Sequence, residues 1–372
     1  AEGKGGEEEE GVIISIDGRQ YPVDVMYRNE PVSDYLRASV DTCLKIHWEE
    51  GDGDVLSFLP SAEDIDKAIR LAQELSSRRG AQNDAAPSSS SSSRGRRGRY
   101  HHLTPPTFLP LYGTLPYHLQ TRIFSPPHHG KNTRRIIFCT NIAETSVTVP
   151  NIKYVVDSGF VKLPYFDPAN GFERLITTPV SRAGATQRAG RAGRLGPGKC
   201  FRLYPETVFT SRRDDGGGTA STPPEILRTN LTSFVLTLKA LGIDDLSSFD
   251  LMDRPPPSAV RHALETLYAL GALDDDNDAR LTPTGLQMCE FPCDARVAKL
   301  LLHALYETRC AEEALTVAAV LQVRDLFLRP RGEQQVLDFD ECVGEVADKC
   351  GDHATYVKVW ERDGGAGERE CR

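Results

Sequence analysis

The sequence of 372 residues lacks long apolar runs and a recognisable leader. No stretch approaches the roughly 20 apolar residues that a membrane-spanning helix needs, so we predict no membrane segment. The N-terminus is acidic, with glutamates from Glu7 to Glu10, and does not resemble a signal peptide. We interpret residues 1–10 as a solvated, disordered acidic tail. The first residue is Ala1 rather than Met, which raises the alternative that the chain is a fragment.

Cysteines at metal-binding spacing are also missing. The nine cysteines include no CxxC pair. Cys289, Cys293 and His303 are poorly spaced for zinc and no fourth ligand is evident, so we predict no metal site. Reduced and mostly buried cysteines are typical of proteins of the nucleus or cytosol.

An overall excess of basic residues is missing as well, because the net charge is −9. The basic residues are instead concentrated. Residues 94–135 contain eight Lys or Arg and no Asp or Glu, and residues 174–213 contain nine Lys or Arg and one Glu. Basic segments in an acidic protein indicate surfaces that face a polyanion. Solvated charge on loops is the alternative, and it explains the first segment better than the second.

Helical patterns alternate with short apolar runs in the first half of the chain. A helix is predicted from Tyr35 to Glu50, and another from Ser61, as its N-cap, to about Leu75. The predicted strands are residues 55–59, 108–112, 135–139 and 153–157, with short hairpins over residues 12–25 and 161–178. This alternation predicts an α/β fold with a parallel sheet flanked by helices.

A low-complexity segment interrupts this pattern at about residues 77–100. It contains six serines, from Ser88 to Ser93, and an Arg/Gly run from Arg94 to Arg99. Such residues cannot build a core, so we predict a disordered surface insertion. A passive loop is favoured, and contact with RNA without sequence preference is the alternative.

The pattern becomes mainly helical after about residue 205. A glycine-rich loop is predicted at residues 214–218 and a frayed end beyond residue 364. Between them, helical periodicity is present at residues 224–241, 259–270 and 286–328.

The most informative segment is Gln187-Arg-Ala-Gly-Arg-Ala-Gly-Arg194. Its three arginines lie three residues apart and are separated only by Ala and Gly. Small residues let a backbone come close to a neighbour, while guanidinium groups bind phosphate oxygens in a bidentate fork. We therefore interpret the octet as a phosphate-binding segment rather than as the start of a packed helix.

The octet resembles the last conserved motif of the DEAH-box RNA helicases, a group within superfamily 2. Upstream segments resemble other motifs of that family in the expected order, at residues 55–60, 110–116 and 140–148. The resemblance extends from about Gly11 to about Trp360. It implies a RecA-like helicase domain over residues 11–208, a winged-helix domain over 222–285 and part of a ratchet helical bundle over 286–372.

The resemblance also implies roles for individual residues. Arg191 and Arg194 would be arginine fingers that reach the γ-phosphate of ATP across an interdomain cleft, and Gln187 would position water or phosphate. Arg188 is placed in the same nucleotide site, with a structural ion pair as its alternative. The further implied nucleotide contacts are Thr140, Asn141 and Asp157. The implied RNA contacts are Thr145, Ser146, Thr148, Lys162 and Arg174.

Two parts of a complete nucleotide site are missing from the sequence. No GxxxxGK[ST] loop occurs, since Gly198-Lys199 is followed by Cys200. Asp340-Glu341 looks superficially like an acidic magnesium motif, but it lies in a helical region and is interpreted as a surface pair. We therefore expect an ATP-dependent RNA helicase whose phosphate cradle and magnesium ligands lie outside this chain, and no activity from the chain in isolation. The alternative is a non-catalytic RNA-binding or scaffold protein.

The implied cofactor is ATP with Mg²⁺, and the implied partner is RNA bound mainly through its backbone. A ribonucleoprotein complex or an activator protein is a further implied partner. Family members act in splicing and in ribosome biogenesis, so the expected location is the nucleus or nucleolus, with the cytoplasm as the weaker alternative.

Overall fold

The computed structural model describes residues 21–84, 105–124, 133–210, 221–246, 248–275, 279–323, 327 and 333–364. The predicted acidic tail, the glycine-rich loop at 214–218 and the end beyond residue 364 lie outside these residues, as do residues 85–100 of the predicted insertion. By contacts between residues the chain divides into two units. The first comprises Ala1–Leu163 and Ile176–Thr222, and the second comprises Pro164–Leu175 and Pro223–Arg372.

The first unit is built on a six-stranded sheet in which every neighbouring pair of strands is parallel. The strands of this sheet are β1 (Val23–Tyr27), β2 (Asp54–Phe58), β3 (Thr107–Leu111), β4 (Arg135–Cys139), β5 (Ile152–Asp157) and β8 (Gly198–Arg202). Two further strands, β6 (Phe160–Asp167) and β7 (Phe172–Pro179), lie between β5 and β8 in the chain. The sheet order is β1-β8-β5-β2-β4-β3, and β6 pairs with β7. The predicted α/β fold is confirmed.

Helices flank this sheet. They are α1 (Tyr35–Glu49), α2 (Ala62–Asp84), α3 (Tyr117–Phe124), α4 (Arg182–Gly190) and α5 (Glu206–Thr210). Successive side chains of a strand point to opposite faces, so the two faces bury different residues. Val55 of β2 belongs to a core with Val40 and Ile65 of α1 and α2. Leu56 belongs to a second core with residues of α3 and α4, such as Ile123.

The start of α2 matches the prediction and its end does not. The backbone N–H of Asp64 donates to Ser61 Oγ at 3.1 Å, which confirms Ser61 as the N-cap. The helix continues to Asp84, so the predicted disorder is wrong for residues 77–84. Interactions one helical turn apart explain this extension, because Ser77 Oγ donates to the Gln73 carbonyl at 2.8 Å and Arg78 pairs with Glu74 at 2.6 Å.

The predicted hairpin over residues 12–25 is described only in its second half. That half is β1, which pairs in parallel with β8, with Val23 opposite Gly198. The first half lies outside the described residues. The second strand of this pair, β8, was not predicted, because the charged residues Lys199 and Arg202 interrupt its apolar pattern.

The second unit is mainly helical. Its helices are α6 (Thr232–Ala240), α7 (Pro257–Ala269), α8 (Pro283–Cys289), α9 (Ala295–His303), α10 (Ala311–Gln322), α11 (Glu333–Val346) and α12 (Asp352–Gly364). An antiparallel bridge between Leu273 and Leu281 joins the segment after α7 to the segment before α8. Buried residues of α6 to α9, such as Val235, Leu267 and Met288, share one core.

Two predicted helices differ in extent from those observed. The helix predicted over 224–241 begins at Thr232, where Asn230 Oδ1 accepts hydrogen bonds from the Thr232 backbone N–H at 2.9 Å and hydroxyl at 2.7 Å. The helical region predicted over 286–328 consists of several helices, since α8 ends at Cys289 and α9 extends from Ala295 to His303. A π-helical turn at Ala304–Thr308 ends in the left-handed backbone of Arg309, with φ of 56°, before α10 begins.

Strands β6 and β7 confirm the hairpin predicted over residues 161–178. The turn closes when Gly171 N–H donates to the Asp167 carbonyl at 2.8 Å, and Gly171 has a positive φ of 67°. The tip belongs to the second unit. Phe166 N–H donates to the Arg228 carbonyl at 2.7 Å, and the Phe166 ring lies 5.1 Å from the His262 ring of α7.

Candidate functional site

The octet at residues 187–194 spans the second half of α4 and the short 3₁₀ turn that follows it, Arg191–Gly193. Ser181 caps α4, because its Oγ accepts the Gly184 N–H at 3.1 Å. The small residues serve close packing within the chain. A Cβ added to Gly193 would lie 2.6 Å from the Tyr21 carbonyl oxygen, which no side chain could accommodate.

Arg188 is buried in an ion-pair network. Its Nη1 lies 2.8 Å from Asp157 Oδ1, its Nε lies 2.9 Å from Glu144 Oε2, and its guanidinium lies 4.9 Å from the centre of the Phe58 ring. Burial alone lowers the pKa of Arg188, but Asp157 and then Glu144 outweigh it, so the pKa is raised. The geometry favours the structural ion pair that the sequence left open for Arg188.

Asp157 is the last residue of β5 and is fully buried. Besides Arg188, it accepts hydrogen bonds from the Gly159 N–H at 3.0 Å and from the Tyr204 hydroxyl at 3.0 Å. Arg188 also donates to the Phe160 carbonyl at 3.1 Å. Asp157 and Arg188 are therefore occupied with each other and with the first turn after β5.

Arg191 connects the octet to the loop after β4. It is 8% exposed, and its guanidinium donates to the Val147 carbonyl at 3.2 Å and to the Glu144 carbonyl. Burial first, and the nearby charge of Arg194 second, lower the pKa of Arg191. The loop at residues 140–150 is therefore fixed to the octet through its backbone carbonyls.

Arg194 and Gln187 lie at the two ends of the octet, where its side chains reach solvent. Both residues are exposed. Arg194 Nη1 donates to Thr148 Oγ1 at 2.5 Å, so the octet also touches the loop at its surface. Two guanidinium groups and an amide thus lie on a short segment beside a hydroxyl-bearing loop, a donor set suited to phosphate oxygens.

The loop presents most of its predicted contact residues to solvent. Asn141, Thr145, Ser146 and Thr148 are exposed, whereas Thr140, which follows β4 directly, is half-buried. In open parallel sheets ligands bind beyond the carboxyl ends of the strands, and this loop lies at such an end. Its exposed hydroxyls and amide are available to a ligand.

Two predicted RNA contacts lie on the hairpin rather than on the loop. Lys162 of β6 lies 3.8 Å from Glu63, and Arg174 of β7 lies 2.9 Å from Asp167. Each cation thus has an acidic partner within the chain. The Lys162 pair is not joined to the octet by a hydrogen bond or ion pair among the described residues, and Arg174 belongs to the second unit.

Glu144 and Tyr204 are the site residues that sequence reasoning missed. Glu144 lies within the polar string at 140–148, whose other polar residues carry hydroxyl or amide groups. Tyr204 follows β8 and has no motif signal. Glu144 is the only acidic residue of this string, and that was the signal that could have identified it as a partner of the octet arginines.

The described part of the chain contains eight cysteines, of which three are buried. No group of three or more His, Cys, Asp or Glu there could hold a metal ion. Cys289 Sγ donates to the Gly285 carbonyl at 3.2 Å within its own helix. Burial raises the pKa of Cys43 and of Cys200 to about 12, so these thiols stay protonated. Among described residues, no helix is long and apolar enough to cross a membrane.

Three family models match the chain. They are the helicase conserved C-terminal domain at residues 99–196, the winged-helix part of the helicase associated domain at 263–293, and its ratchet-like part at 294–356. The order along the chain is the one that the sequence motifs implied.

Relatives match nearly the whole chain. The pre-mRNA-splicing factor ATP-dependent RNA helicase prp22 of Schizosaccharomyces pombe is 42% identical over 348 residues, which cover 94% of this chain and 27% of that protein. The probable ATP-dependent RNA helicase DHX35 of Homo sapiens is 39% identical over 351 residues, which cover 94% and 46%. The chain thus spans less than half the length of these relatives.

Solved structures agree. The DExH-box NTPase HrpB of E. coli has a TM-score of 0.65 and 27% identity, over 93% of this chain and 37% of that one. The parallel sheet, the octet bound to the loop after β4, and the matched domains lead to one conclusion. The chain belongs to the DEAH-box RNA helicase family and carries its C-terminal helicase, winged-helix and ratchet-like domains.

Proposed function

We propose that this chain supplies the arginine-bearing wall of the ATP site, and part of the RNA path, of an ATP-dependent RNA helicase. The observation that carries the proposal is the octet bound to the loop after β4. Arg191 fixes the backbone of that loop, Arg194 is exposed and touches the loop at Thr148, and Gln187 is exposed on α4. Nucleotide hydrolysis requires positive charge held at the transferred phosphate, which this arrangement provides.

The electrostatics of the two arginines support a polyphosphate ligand. Arg191 and Arg194 repel each other, and Arg191 is also desolvated. Bound phosphate oxygens would offset both costs, since charge-assisted hydrogen bonds strengthen where solvent is excluded. We propose that Arg194 and Gln187 contact the γ-phosphate directly, and that Arg191 contributes its charge while it holds the loop.

The other predicted nucleotide contacts divide by burial. Asn141 is exposed and Thr140 half-buried, so both can act at the cleft. Asp157 and Arg188 are buried against each other, and we propose that they hold the segments of the site in place without contacting the nucleotide. We propose that the phosphate cradle and the ligands of Mg²⁺ come from elsewhere in the protein, because no GxxxxGK[ST] loop occurs in the 372 residues.

RNA contacts are proposed at the exposed hydroxyls of Thr145, Ser146 and Thr148 and at the cations Lys162 and Arg174. Hydroxyls and cations bind the phosphate and sugar groups of any sequence, so weak sequence preference and strong salt dependence are expected. Lys162 and Arg174 would exchange their acidic partners for phosphates.

The printed role of prp22 as a splicing factor suggests a cellular setting for this chain. We propose a nuclear helicase that remodels a ribonucleoprotein, with splicing favoured and ribosome biogenesis as the alternative. An activator protein is a further proposed partner. The division of residues 222–372 into a winged helix ending at 285 and a helical bundle from 286 also stays a proposal.

A second candidate function is non-catalytic RNA binding. It is favoured by one observation, the absence of a GxxxxGK[ST] loop from the 372 residues. The two candidates differ in one measurable property. A helicase made with its phosphate cradle hydrolyses ATP when RNA is present, whereas an RNA-binding protein does not.

The test uses the gene product as the cell makes it, beside the 372-residue chain. We expect RNA-stimulated ATP hydrolysis from the former and negligible hydrolysis from the latter. RNA binding by the chain should weaken with salt, with a slope in the logarithmic plot of about −0.7 per contacted phosphate of a single strand. Arg174→Ala should make that slope shallower by about 0.7, whereas Arg37→Ala, on α1, should not. A gene product without hydrolysis favours the RNA-binding candidate.

A further inference from the structure

Phe209, outside every segment that resembles a helicase motif, lies beside two arginine side chains. It belongs to the short helix α5 and is half-buried. The guanidinium carbon of Arg202, the last residue of β8, lies over its ring at 4.0 Å from the centroid. The guanidinium carbon of Arg182, the first residue of α4, lies over the same ring at 5.5 Å.

Arg202 extends this contact to the middle of α4. Its Nη2 donates to the Ala185 carbonyl at 3.1 Å, in a buried position. Its Nη1 donates to the Tyr27 hydroxyl at 2.5 Å, and its guanidinium lies 5.2 Å from the centre of the Tyr27 ring. The Nε of Arg202 is buried without a hydrogen-bond partner. The contacts with the Tyr27 and Phe209 rings therefore help to hold the Arg202 guanidinium in place.

The cluster formed by Tyr27, Arg182, Arg202 and Phe209 fixes α4 at two points. One is its first residue, Arg182, and the other is the Ala185 carbonyl. Gln187 follows on the same helix, and Arg191 and Arg194 follow immediately after it. A cation is held by an aromatic face most strongly where it is desolvated, as Arg202 is at 4% exposure. Movement of α4 would displace the whole octet.

We propose that Phe209 is a positioning residue, which holds α4 through Arg182 and Arg202 and thereby sets the place of the octet arginines. The catalytic consequence rests on the proposed function, whereas the hold on α4 does not. A displacement of about 1 Å at a reacting group can reduce a rate by about 100-fold, so a contact remote from the phosphate can matter for hydrolysis.

The first experiment measures amide hydrogen exchange in the 372-residue chain. Phe209→Leu keeps an apolar side chain but removes the aromatic face. We expect the amides of α4 to exchange about tenfold faster, while those of β4 keep their protection. Phe209→Tyr restores the aromatic face and should exchange as the unaltered chain does. The matched control is Phe108→Leu, another half-buried phenylalanine, on the opposite edge strand β3.

The second experiment measures RNA-stimulated ATP hydrolysis by the gene product as the cell makes it. We expect Phe209→Leu to lower kcat by about ten- to a hundredfold while RNA affinity changes less than about twofold, and Phe209→Tyr to restore kcat. Unchanged α4 exchange in Phe209→Leu, or equal acceleration in Phe108→Leu, overturns the inference. A different pair of results overturns the proposed function instead. In that case α4 exchanges faster in Phe209→Leu, but the unaltered gene product does not hydrolyse ATP.

Discussion

Arg188 and Asp157 form an ion pair of 2.8 Å in which the two side chains are 1% and 0% exposed. The pair joins α4 to the end of β5, and Glu144 adds the loop after β4 to the same guanidinium. Three segments that are separated along the chain thus meet at one buried cation. A buried ion pair is costly to break, because the remaining partner stays desolvated.

Arg188→Met should therefore destabilise the first unit strongly. The variant leaves Asp157 buried without its cation, at a cost of about 3–5 kcal/mol in the free energy of unfolding. Urea unfolding of the chain, followed by circular dichroism, measures this loss. Arg174→Ala removes an arginine from an exposed ion pair and should change stability far less. Equal losses in the two variants would contradict the assigned role of the network.

Gly159→Ala should also lower stability. Gly159 has a φ of 84°, and a Cβ there would lie 2.5 Å from Cδ1 of Tyr204, whose hydroxyl binds Asp157. Backbone strain and displacement of the Tyr204 ring together should cost about 2 kcal/mol or more. Gly196→Ala is the matched control, since nothing lies within 4 Å of its added Cβ. Thermal unfolding would show a clear drop in Tm for the first variant alone.

His47 gives the stability of the chain a dependence on pH. Burial first, and the charge of Arg134 second, lower the pKa of His47 to about 4. In the unfolded chain the pKa is about 6.5, so the unfolded state takes up the proton first as the pH falls. The contribution of His47 is complete above pH 6.5 and is lost towards pH 4, by about 3 kcal/mol.

Urea unfolding between pH 4 and pH 7.5 tests this prediction. Carboxylates also titrate in the lower part of that range, so the informative quantity is the difference between variants. His47→Leu should make the slope of unfolding free energy against pH shallower. The unaltered chain, measured at the same pH values, is the reference for this slope. A slope that does not change in His47→Leu would contradict the burial argument.

Arg191→Ala and Arg194→Ala should separate catalytic loss from structural loss. In the complete gene product, each should reduce ATP hydrolysis by about 10³–10⁵-fold and leave RNA affinity mostly intact. Arg191→Ala should in addition destabilise the chain by about 1–3 kcal/mol, because the carbonyls of Glu144 and Val147 lose their donor. Arg194 is exposed, so its replacement should leave Tm unchanged. Collapse of RNA binding would place the arginine in the RNA path instead.

The sheet was predictable from the sequence wherever a strand is a continuous apolar run. β2 and β4 are buried on both faces, and apart from Asp54 and Ser57 of β2 and Arg135 of β4 their residues are apolar, so they predict strands without knowledge of partners. β8 carries Lys199 and Arg202 and escaped prediction. The pairing of strands was not predictable, because β1 and β8 lie far apart in the chain and no local pattern indicates their contact.

The candidate site was predictable in its composition but not in its division of roles. The octet is recognisable because arginines separated by glycine and alanine are unusual in a packed helix. Its three arginines look equivalent in the sequence, yet Arg188 is buried in ion pairs, Arg191 binds carbonyls and Arg194 is exposed. These differences depend on Glu144 and Asp157, whose distances from the octet no spacing rule encodes.

The hairpin of β6 and β7 leaves the first unit, contributes its tip to the second and returns. The second unit is therefore assembled from two separate stretches of chain, and residues 223–372 do not make up the whole of it. Expression from residue 223 onward would remove Phe166, which covers His262 of α7, together with the N–H that binds the Arg228 carbonyl. A truncation intended to isolate the helical unit would expose new apolar surface, so a poorly soluble product would report on the missing tip.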